Sequence, residues 1–180
     1  MELQRLTALE DLDLSWTNVT GIGIRHLRSL KHLTDLELQG MTISVEDVAS
    51  LAELKQLSYL VLDACDIADE AMGKLSDLQG LSSLFLDGTN LGDGGLAELV
   101  TLQKLEQLDI SNTNVTLTGL LELNKLPRLA DLWLGGMMLN DESLTAISSL
   151  KQLELLDLTR SEEHTSELQS RRNLVCRLLL

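Results

Sequence analysis

Aromatic residues, proline and cysteine are all scarce in this chain of 180 residues. It has two tryptophans, one tyrosine, one phenylalanine, one proline and two cysteines. Two cysteines are too few for a disulfide scaffold. The sequence also lacks any apolar run of about 18 residues, the length that a membrane-spanning helix needs, so no membrane segment is expected here.

Basic residues are also few. Lysine and arginine number 14 against 28 aspartates and glutamates, for a formal net charge of −14. Proteins that bind nucleic acid present a basic patch to the phosphates, so nucleic acid is not an expected partner. Leucine, in contrast, occupies 46 positions. That apolar content excludes a disordered acidic chain.

The leucines recur in register every 24 residues, without insertion or deletion. The seven anchors are Leu9, Leu33, Leu57, Leu81, Leu105, Leu129 and Leu153. Each unit has two further leucines or other aliphatics at fixed offsets from its anchor. The residue three positions after the second of these is Thr, Cys or Met. An aliphatic residue follows two positions later. In the fourth unit these residues are Leu81, Leu84, Leu86, Thr89 and Leu91.

Each unit combines a strand pattern with a helix pattern. Leu84 and Leu86 alternate with outward residues, as in a short strand. Leu96, Leu99 and Leu102 follow at helical spacing. One such unit cannot bury its own apolar face, so we expect the units to stack with all strands in one parallel sheet. Helix N-caps are predicted at Thr20, Ser44, Asp69, Asp93, Thr116 and Asn140.

This pattern resembles the leucine-rich repeat in its helix-containing form, and the likeness covers residues 3 to about 159. The resemblance implies an α/β leucine-rich-repeat solenoid with a parallel concave sheet and short convex helices. Members of the family often have Asn at the eighth position after the anchor. Here that position holds Thr, Cys or Met, which predicts a ladder of hydroxyl groups interrupted twice by methionine.

The register ends after Leu158, and residues 160–180 read RSEEHTSELQSRRNLVCRLLL. Back-translated, residues 160–170 and 173–180 match two blocks of a common sequencing-library adapter in one reading frame. We therefore predict a non-native tail over 160–180 that is disordered or forms an incidental helix through Leu168, Leu174 and Leu178. The alternative is a basic amphipathic helix or a membrane anchor. Residues 1–159 are then expected to be an uncapped fragment of about seven repeats.

Residues suited to catalysis are few. His26 and His32 are expected on a solvated helix surface, and Cys65 is expected to be buried among acidic neighbours. Because no nucleophile, base and orienting group can be assembled, we expect no enzyme activity, no metal and no cofactor. A cytoplasmic location is favoured, and an extracellular one stays open if Asn18 and Asn114 are glycosylated.

The four aromatic residues all fall on outward columns of the predicted concave sheet, among many carboxylates. Aromatic side chains are enriched as binding anchors, and acidic ones steer a basic partner. We therefore predict a protein-interaction module whose partner is a protein with a basic or mixed apolar-basic surface. Tyr59, Val61 and Phe85 are expected to form the apolar middle of the contact surface. The predicted contact residues are Asp13, Trp16, Glu37, Tyr59, Val61, Phe85, Asp87, Asp109 and Trp133.

Two alternative functions remain. Leucine-rich repeats resembling this one occur in the substrate-recognition part of ubiquitin ligase complexes. They also occur in the ligand-binding segments of cell-surface receptors. Flanking regions would distinguish the alternatives.

Overall fold

One long sheet runs through the molecule, with one short strand for each repeat. The computed structural model describes residues 2–159, 161–163 and 175–177. In the described chain the strands are β1 (Asp11–Asp13), β2 (Asp35–Glu37), β3 (Tyr59–Val61), β4 (Ser83–Phe85), β5 (Gln107–Asp109), β6 (Asp131–Trp133), β7 (Met138–Leu139), β8 (Leu155–Asp157), β9 (Glu162–Glu163) and β10 (Val175–Arg177). The large sheet has the order β1-β2-β3-β4-β5-β6-β8-β10.

The strands pair in the 24-residue register that the sequence predicts. Strands β1 to β6 and β8 are parallel, and the middle residue of each pairs with its equivalent in the next repeat. These middle residues point into the core, and from Leu36 to Leu132 their side chains are fully buried. The predicted parallel sheet is therefore confirmed.

Short helices lie side by side across the core from the sheet, each packed against the next. They are α1 (Gly21–His26), α2 (Val45–Leu51), α3 (Asp69–Leu75), α4 (Asp93–Leu99), α5 (Leu117–Glu122) and α6 (Asp141–Ser148). Segments of 3₁₀ helix occupy Glu2–Arg5, Leu27–Ser29 and Leu123–Lys125. In the described part of the chain, no helix reaches the length and apolarity that a bilayer crossing requires.

The predicted N-caps are correct for four helices. Ser44 forms a reciprocal capping box with Asp47, and the Thr116 and Asn140 side chains accept backbone hydrogen bonds from their helices. Thr20 occupies the N-cap position of α1 without a side-chain bond. These bonds satisfy backbone N–H groups that the first helical turn leaves without a partner.

The prediction of Asp69 and Asp93 as N-caps is wrong by one residue. Ala68 and Gly92 hold the cap positions, so each aspartate is the first residue of its helix. Their carboxylates instead accept hydrogen bonds from the next repeat. Asp69 accepts from the Gly92 N–H at 2.7 Å, and Asp93 accepts from the Thr116 N–H at 2.7 Å. The two side chains therefore tie successive repeats together.

The predicted ladder of hydroxyl groups does not run between repeats. Thr17, Thr89 and Thr113 each donate to the carbonyl three residues earlier, at 2.7, 2.8 and 2.6 Å. Each hydroxyl therefore closes a turn within its own repeat. The Cys65 thiol, in contrast, donates to the Leu38 carbonyl of the preceding repeat.

The turn that follows each of the strands β1 to β6 has a residue with left-handed backbone at the same position. Their φ angles lie between 51° and 69°. Glycine adopts this conformation freely, whereas other residues are strained there. The six residues are Trp16, Gly40, Ala64, Gly88, Asn112 and Gly136.

The last repeat is covered by residues of the predicted tail. Strand β10 pairs antiparallel with β8, and β9 pairs with β7. Within the tail, the structure therefore describes two strands, β9 and β10. The helix predicted through Leu168, Leu174 and Leu178 lies outside the described residues.

Candidate functional site

The exposed face of the sheet consists of three rows of side chains that run across the repeats. The first residues of strands β1 to β6 and β8 form the first row: Asp11, Asp35, Tyr59, Ser83, Gln107, Asp131 and Leu155. The third residues form the third row: Asp13, Glu37, Val61, Phe85, Asp109, Trp133 and Asp157. The turn row follows two residues later: Ser15, Gln39, Asp63, Asp87, Ser111 and Gly135. Together these rows are called the concave face below.

Three aromatic rings form one continuous cluster on this face. The ring centroids of Tyr59 and Phe85 are 5.3 Å apart with the planes tilted by 47°. Those of Phe85 and Trp133 are 5.8 Å apart with a tilt of 43°. Tilted and offset arrangements suit the ring quadrupoles. The three residues are only partly buried, so the cluster still presents apolar area to solvent.

Trp16 lies apart from this aromatic cluster. Its ring covers Gly40 in the next repeat, where an added Cβ would overlap it. The side chain is 71% exposed, and its backbone is left-handed with φ of 57°. Trp16 follows Ser15 of the turn row, and its ring packs on the neighbouring repeat rather than in the aromatic cluster.

Val61 is not an exposed contact residue as the sequence predicts, because it is only 2% exposed. Its neighbours in register are Glu37 and Phe85, which are both longer side chains. The valine is therefore covered within the third row. The apolar middle of the face consists of Tyr59, Phe85 and Trp133 instead.

Negative charge surrounds the aromatic cluster. The three rows contain nine carboxylates and neither lysine nor arginine. Asp13, Glu37, Asp87 and Asp109, which the sequence predicts as contact residues, all lie in these rows. The carboxylates are Asp11, Asp13, Asp35, Glu37, Asp63, Asp87, Asp109, Asp131 and Asp157.

Burial and mutual repulsion raise the pKa of several of these carboxyl groups. Burial is the main cause that raises the pKa of Asp63 to about 6, and the charges of Asp109, Asp87 and Glu37 add to it. A hydrogen bond from the Asp87 N–H to Asp63, at 2.9 Å, opposes this shift. Burial likewise raises the pKa of Asp109, with the negative charge of Asp87 as a further cause.

The first repeats show both directions of shift. Burial raises the pKa of Glu37, and the charges of Asp13 and Asp11 raise it further. Hydrogen bonds from Ser15 lower the pKa of Asp13, whose carboxylate accepts from the Ser15 N–H at 2.8 Å. Asp109 accepts the equivalent hydrogen bond from the Ser111 N–H, so its burial is what raises its pKa while that of Asp13 is lowered.

Hydrogen bonds between polar side chains connect neighbouring repeats along the first row and in the turns. The Ser83 hydroxyl donates to Gln107 at 2.8 Å, and the Gln107 amide donates to Asp131 at 2.9 Å. In the turns, the Asn112 amide donates to Asp87 at 2.7 Å. These bonds restrict the rotamers of the side chains beside the aromatic cluster, so that face is preorganised.

The residues considered for chemistry are placed apart from one another. Cys65 is buried, and burial raises the pKa of its thiol to about 11. His26 ends α1 and contacts Gln4, and His32 is exposed after the first helix. Among the residues that the structure describes, no group of three or more His, Cys, Asp and Glu side chains is arranged to hold a metal ion.

The chain is structurally similar to an internalin from Listeria monocytogenes. The similarity covers 89% of this chain, with a TM-score of 0.63 and 22% sequence identity. The fold is a leucine-rich-repeat solenoid. This solenoid spans 51% of the internalin chain. The chain is also similar in structure to the C-terminal domain of tropomodulin from Caenorhabditis elegans. That similarity has a TM-score of 0.58 and 15% identity, and covers 74% of this chain and 93% of the other.

At these identities the similarity concerns the fold of the solenoid. No protein-family model matches the sequence, and no curated protein matches it.

Asp157, which lies next to Trp133 in the third row, is absent from the residues predicted as contacts. The same 24-residue register that places the other residues identifies it. Its relation to the aromatic cluster follows from packing, since only the structure shows that the Phe85 and Trp133 rings are in contact.

Proposed function

We propose that the solenoid recognises a protein partner through its concave face and performs no chemistry of its own. The partner would present an apolar group flanked by basic side chains. The observation that supports this most directly is the cluster of Tyr59, Phe85 and Trp133, surrounded by carboxylates on a face without lysine or arginine. Partly exposed rings offer apolar area, and unpaired acidic groups offer charge complementarity.

The aromatic rings and the carboxylates have different roles in the proposed contact. Aromatic side chains bury large areas at low cost in conformational entropy, so the rings would contribute most of the affinity. The carboxylates would accelerate encounter with a basic partner and align it on the face. Because the Debye length is about 8 Å at physiological ionic strength, added salt would weaken the electrostatic part and leave the aromatic part.

Selection from a library of short random peptides displayed on phage tests this proposal. The target is the whole chain, and the bound peptides are sequenced and synthesised. We expect enriched peptides to combine lysine or arginine with an apolar residue. We also expect their affinity to fall as the salt concentration rises. Enriched peptides that are acidic, or that bind equally well at high salt, would overturn the proposal.

Substitutions on the two sides of the molecule show whether a selected peptide binds to the concave face. Wild-type chain is compared with the Tyr59→Ala variant and with the convex variant Ile22→Ala, both checked for native circular dichroism. Ile22 is a suitable control because it is an exposed aliphatic residue on α1. Loss of binding in Tyr59→Ala alone supports the concave face. Equal loss in both variants, or loss in Ile22→Ala alone, contradicts it.

A further inference from the structure

Trp133 lies between two aspartates in the third row. Its partners in register are Asp109 on β5 and Asp157 on β8. Neighbouring strands are about 4.8 Å apart, so Trp133 has an aspartate at the equivalent position of the adjacent strand on each side. One oxygen of Asp109 accepts from the Ser111 N–H, and one oxygen of Asp157 accepts from the Thr159 N–H, each at 2.8 Å.

Neither carboxylate forms an ion pair with a basic side chain of residues 3–159. The ion pairs there join Arg25 to Asp47, Lys125 to Glu122 and Arg128 to Glu106. Asp109 is also close enough to Asp87 and Asp157 for their negative charges to raise its pKa further, beyond the effect of burial. The site thus contains repulsion that a bound cation would relieve.

The aromatic cluster holds the indole in place. Phe85 and Trp133 lean towards each other across the strand that carries Asp109, with their centroids 5.8 Å apart. The Tyr59 ring contacts the Phe85 ring, so all three rings form one cluster. A fixed indole next to two carboxylates combines the two features that attract a flat cation: an aromatic surface and charged acceptors.

We propose that the partner's anchor is an arginine side chain whose guanidinium stacks on Trp133 and pairs with Asp109 and Asp157. This inference rests on the proposed recognition function and specifies its ligand. A guanidinium is planar, stacks well on an indole and has donors on several edges, so it can contact both carboxylates together. The ammonium of lysine is a strongly hydrated point charge and fits the same arrangement less well.

Nuclear magnetic resonance of the isotope-labelled whole chain provides the test. The chain has two tryptophans, so two indole N–H signals are expected, and the variant Trp16→Phe assigns them. The probe is N-acetylarginine amide. Its controls are N-acetylcitrulline amide, which has a similar shape without the charge, and N-acetyllysine amide. We expect arginine amide to shift the Trp133 signal to saturation and the Trp16 signal less.

The controls and variants decide whether the site has the proposed chemistry. We expect lysine amide to bind at least about three-fold more weakly than arginine amide, and citrulline amide to bind more weakly still. Asp109→Asn combined with Asp157→Asn should weaken arginine binding about ten-fold. Asp66→Asn combined with Asp77→Asn removes the same charge elsewhere and should change it less than about two-fold.

Three outcomes would overturn the arginine site. These are equal shifts with citrulline amide, equal affinity for lysine amide, or equal weakening in the two double variants. The recognition function is judged separately. If selected peptides bind through Tyr59 but arginine amide leaves the Trp133 signal unchanged, the concave face binds a partner and the arginine anchor is wrong. If arginine amide binds as expected but no peptide depends on Tyr59, the arginine site is supported and the recognition function is wrong.

Discussion

Phe85 and Trp133 are on strands separated by a third strand, yet their ring centroids are 5.8 Å apart. Equivalent positions two strands apart are about 10 Å from each other, so both side chains must lean towards the intervening Asp109. This contact turns two isolated aromatic positions into one surface. Burial raises the pKa of the intervening Asp109.

The left-handed positions of the turns predict opposite effects for two matched substitutions. Ala64 has φ of 53° and Gly88 has φ of 67°, and both residues are exposed. Ala64→Gly should stabilise the fold by about 0.5–1 kcal/mol, because relief of strain exceeds the added entropy of the unfolded chain. Gly88→Ala should destabilise it by about 1 kcal/mol. Denaturant unfolding measures both.

Steric crowding does not contribute to the effect expected at Gly88. A Cβ added at Gly88 would meet only the Ala64 Cα at 4.0 Å, which is ordinary contact. The change at Gly88 therefore acts through the backbone conformation. Equal stability of both variants and the wild type would show that this turn carries no strain.

The raised pKa of Asp63 predicts a pH-dependent stability. Its folded value is about 6 against an ordinary value of 3.8, so the folded state holds the proton more tightly than the unfolded state. Stability contributed by this group is present at low pH and is lost as pH rises through about 6. Asp63→Asn should therefore exceed the wild type by about 1 kcal/mol at neutral pH, after allowance for solvent screening. The advantage should disappear below about pH 4.

Asp13 provides a control of opposite sign. Its pKa is lowered by Ser15, so its ionised form favours the folded state. The wild type should be more stable than Asp13→Asn at neutral pH, and the difference should fall as the pH falls. Thermal unfolding across this pH range measures both variants. A pH-independent difference for Asp63→Asn would contradict the assignment.

The link between successive helices predicts a structural role for Asp93. Its carboxylate accepts from the Thr116 N–H, from the Thr116 hydroxyl at 2.6 Å and from the Gly119 N–H at 3.0 Å. Asp93→Ala leaves these donors at the start of α5 without their acceptor. We expect a loss of about 1–2 kcal/mol in the free energy of unfolding.

The exposed residue Asp77 gives the matched control for Asp93. Its side chain lies on the same convex side of the molecule, so Asp77→Ala should change stability by less than about 0.5 kcal/mol. Chemical denaturation distinguishes the two variants. If they behave alike, the hydrogen bonds from Asp93 do not contribute to the stacking of repeats.

Much of the fold follows from the sequence because one physical constraint is repeated seven times. The 24-residue spacing aligns Leu36, Leu60 and Leu84 on adjacent strands, and a one-residue slip would expose them all. The same register places Phe85 and Trp133 on the outward face. Periodicity therefore determines which residues share a row.

Features that depend on side-chain length or on contacts between repeats could not be read from this periodicity. Val61 is buried because its neighbours are longer, although its row is an outward one. Asp69 and Asp93 bond to the following repeat, whereas the local pattern favours a cap in their own helix. Trp16 has a left-handed backbone, and its ring covers Gly40 of the next repeat.

The tail provides a further prediction, which compares its removal with a truncation in the core. Leu84→Ala removes a fully buried side chain and should cost about 2–5 kcal/mol. Deletion of residues 160–180 removes the pairing of β10 with β8 and should cost less, with the repeats still folded. Calorimetry compares the two. Unfolding of the shortened chain would show that the tail is required for the fold.

Calorimetry of a selected peptide tests whether a partner binds through the aromatic cluster of the concave face. Phe85→Ala combined with Trp133→Ala is compared with the convex pair Ile22→Ala and Leu121→Ala, which are also exposed. Asp87→Lys tests the face without removing a ring. We predict at least about ten-fold weaker binding for the aromatic pair and for Asp87→Lys, and less than about two-fold for the convex pair. Unchanged affinity in a folded aromatic pair, or in Asp87→Lys, would contradict the account.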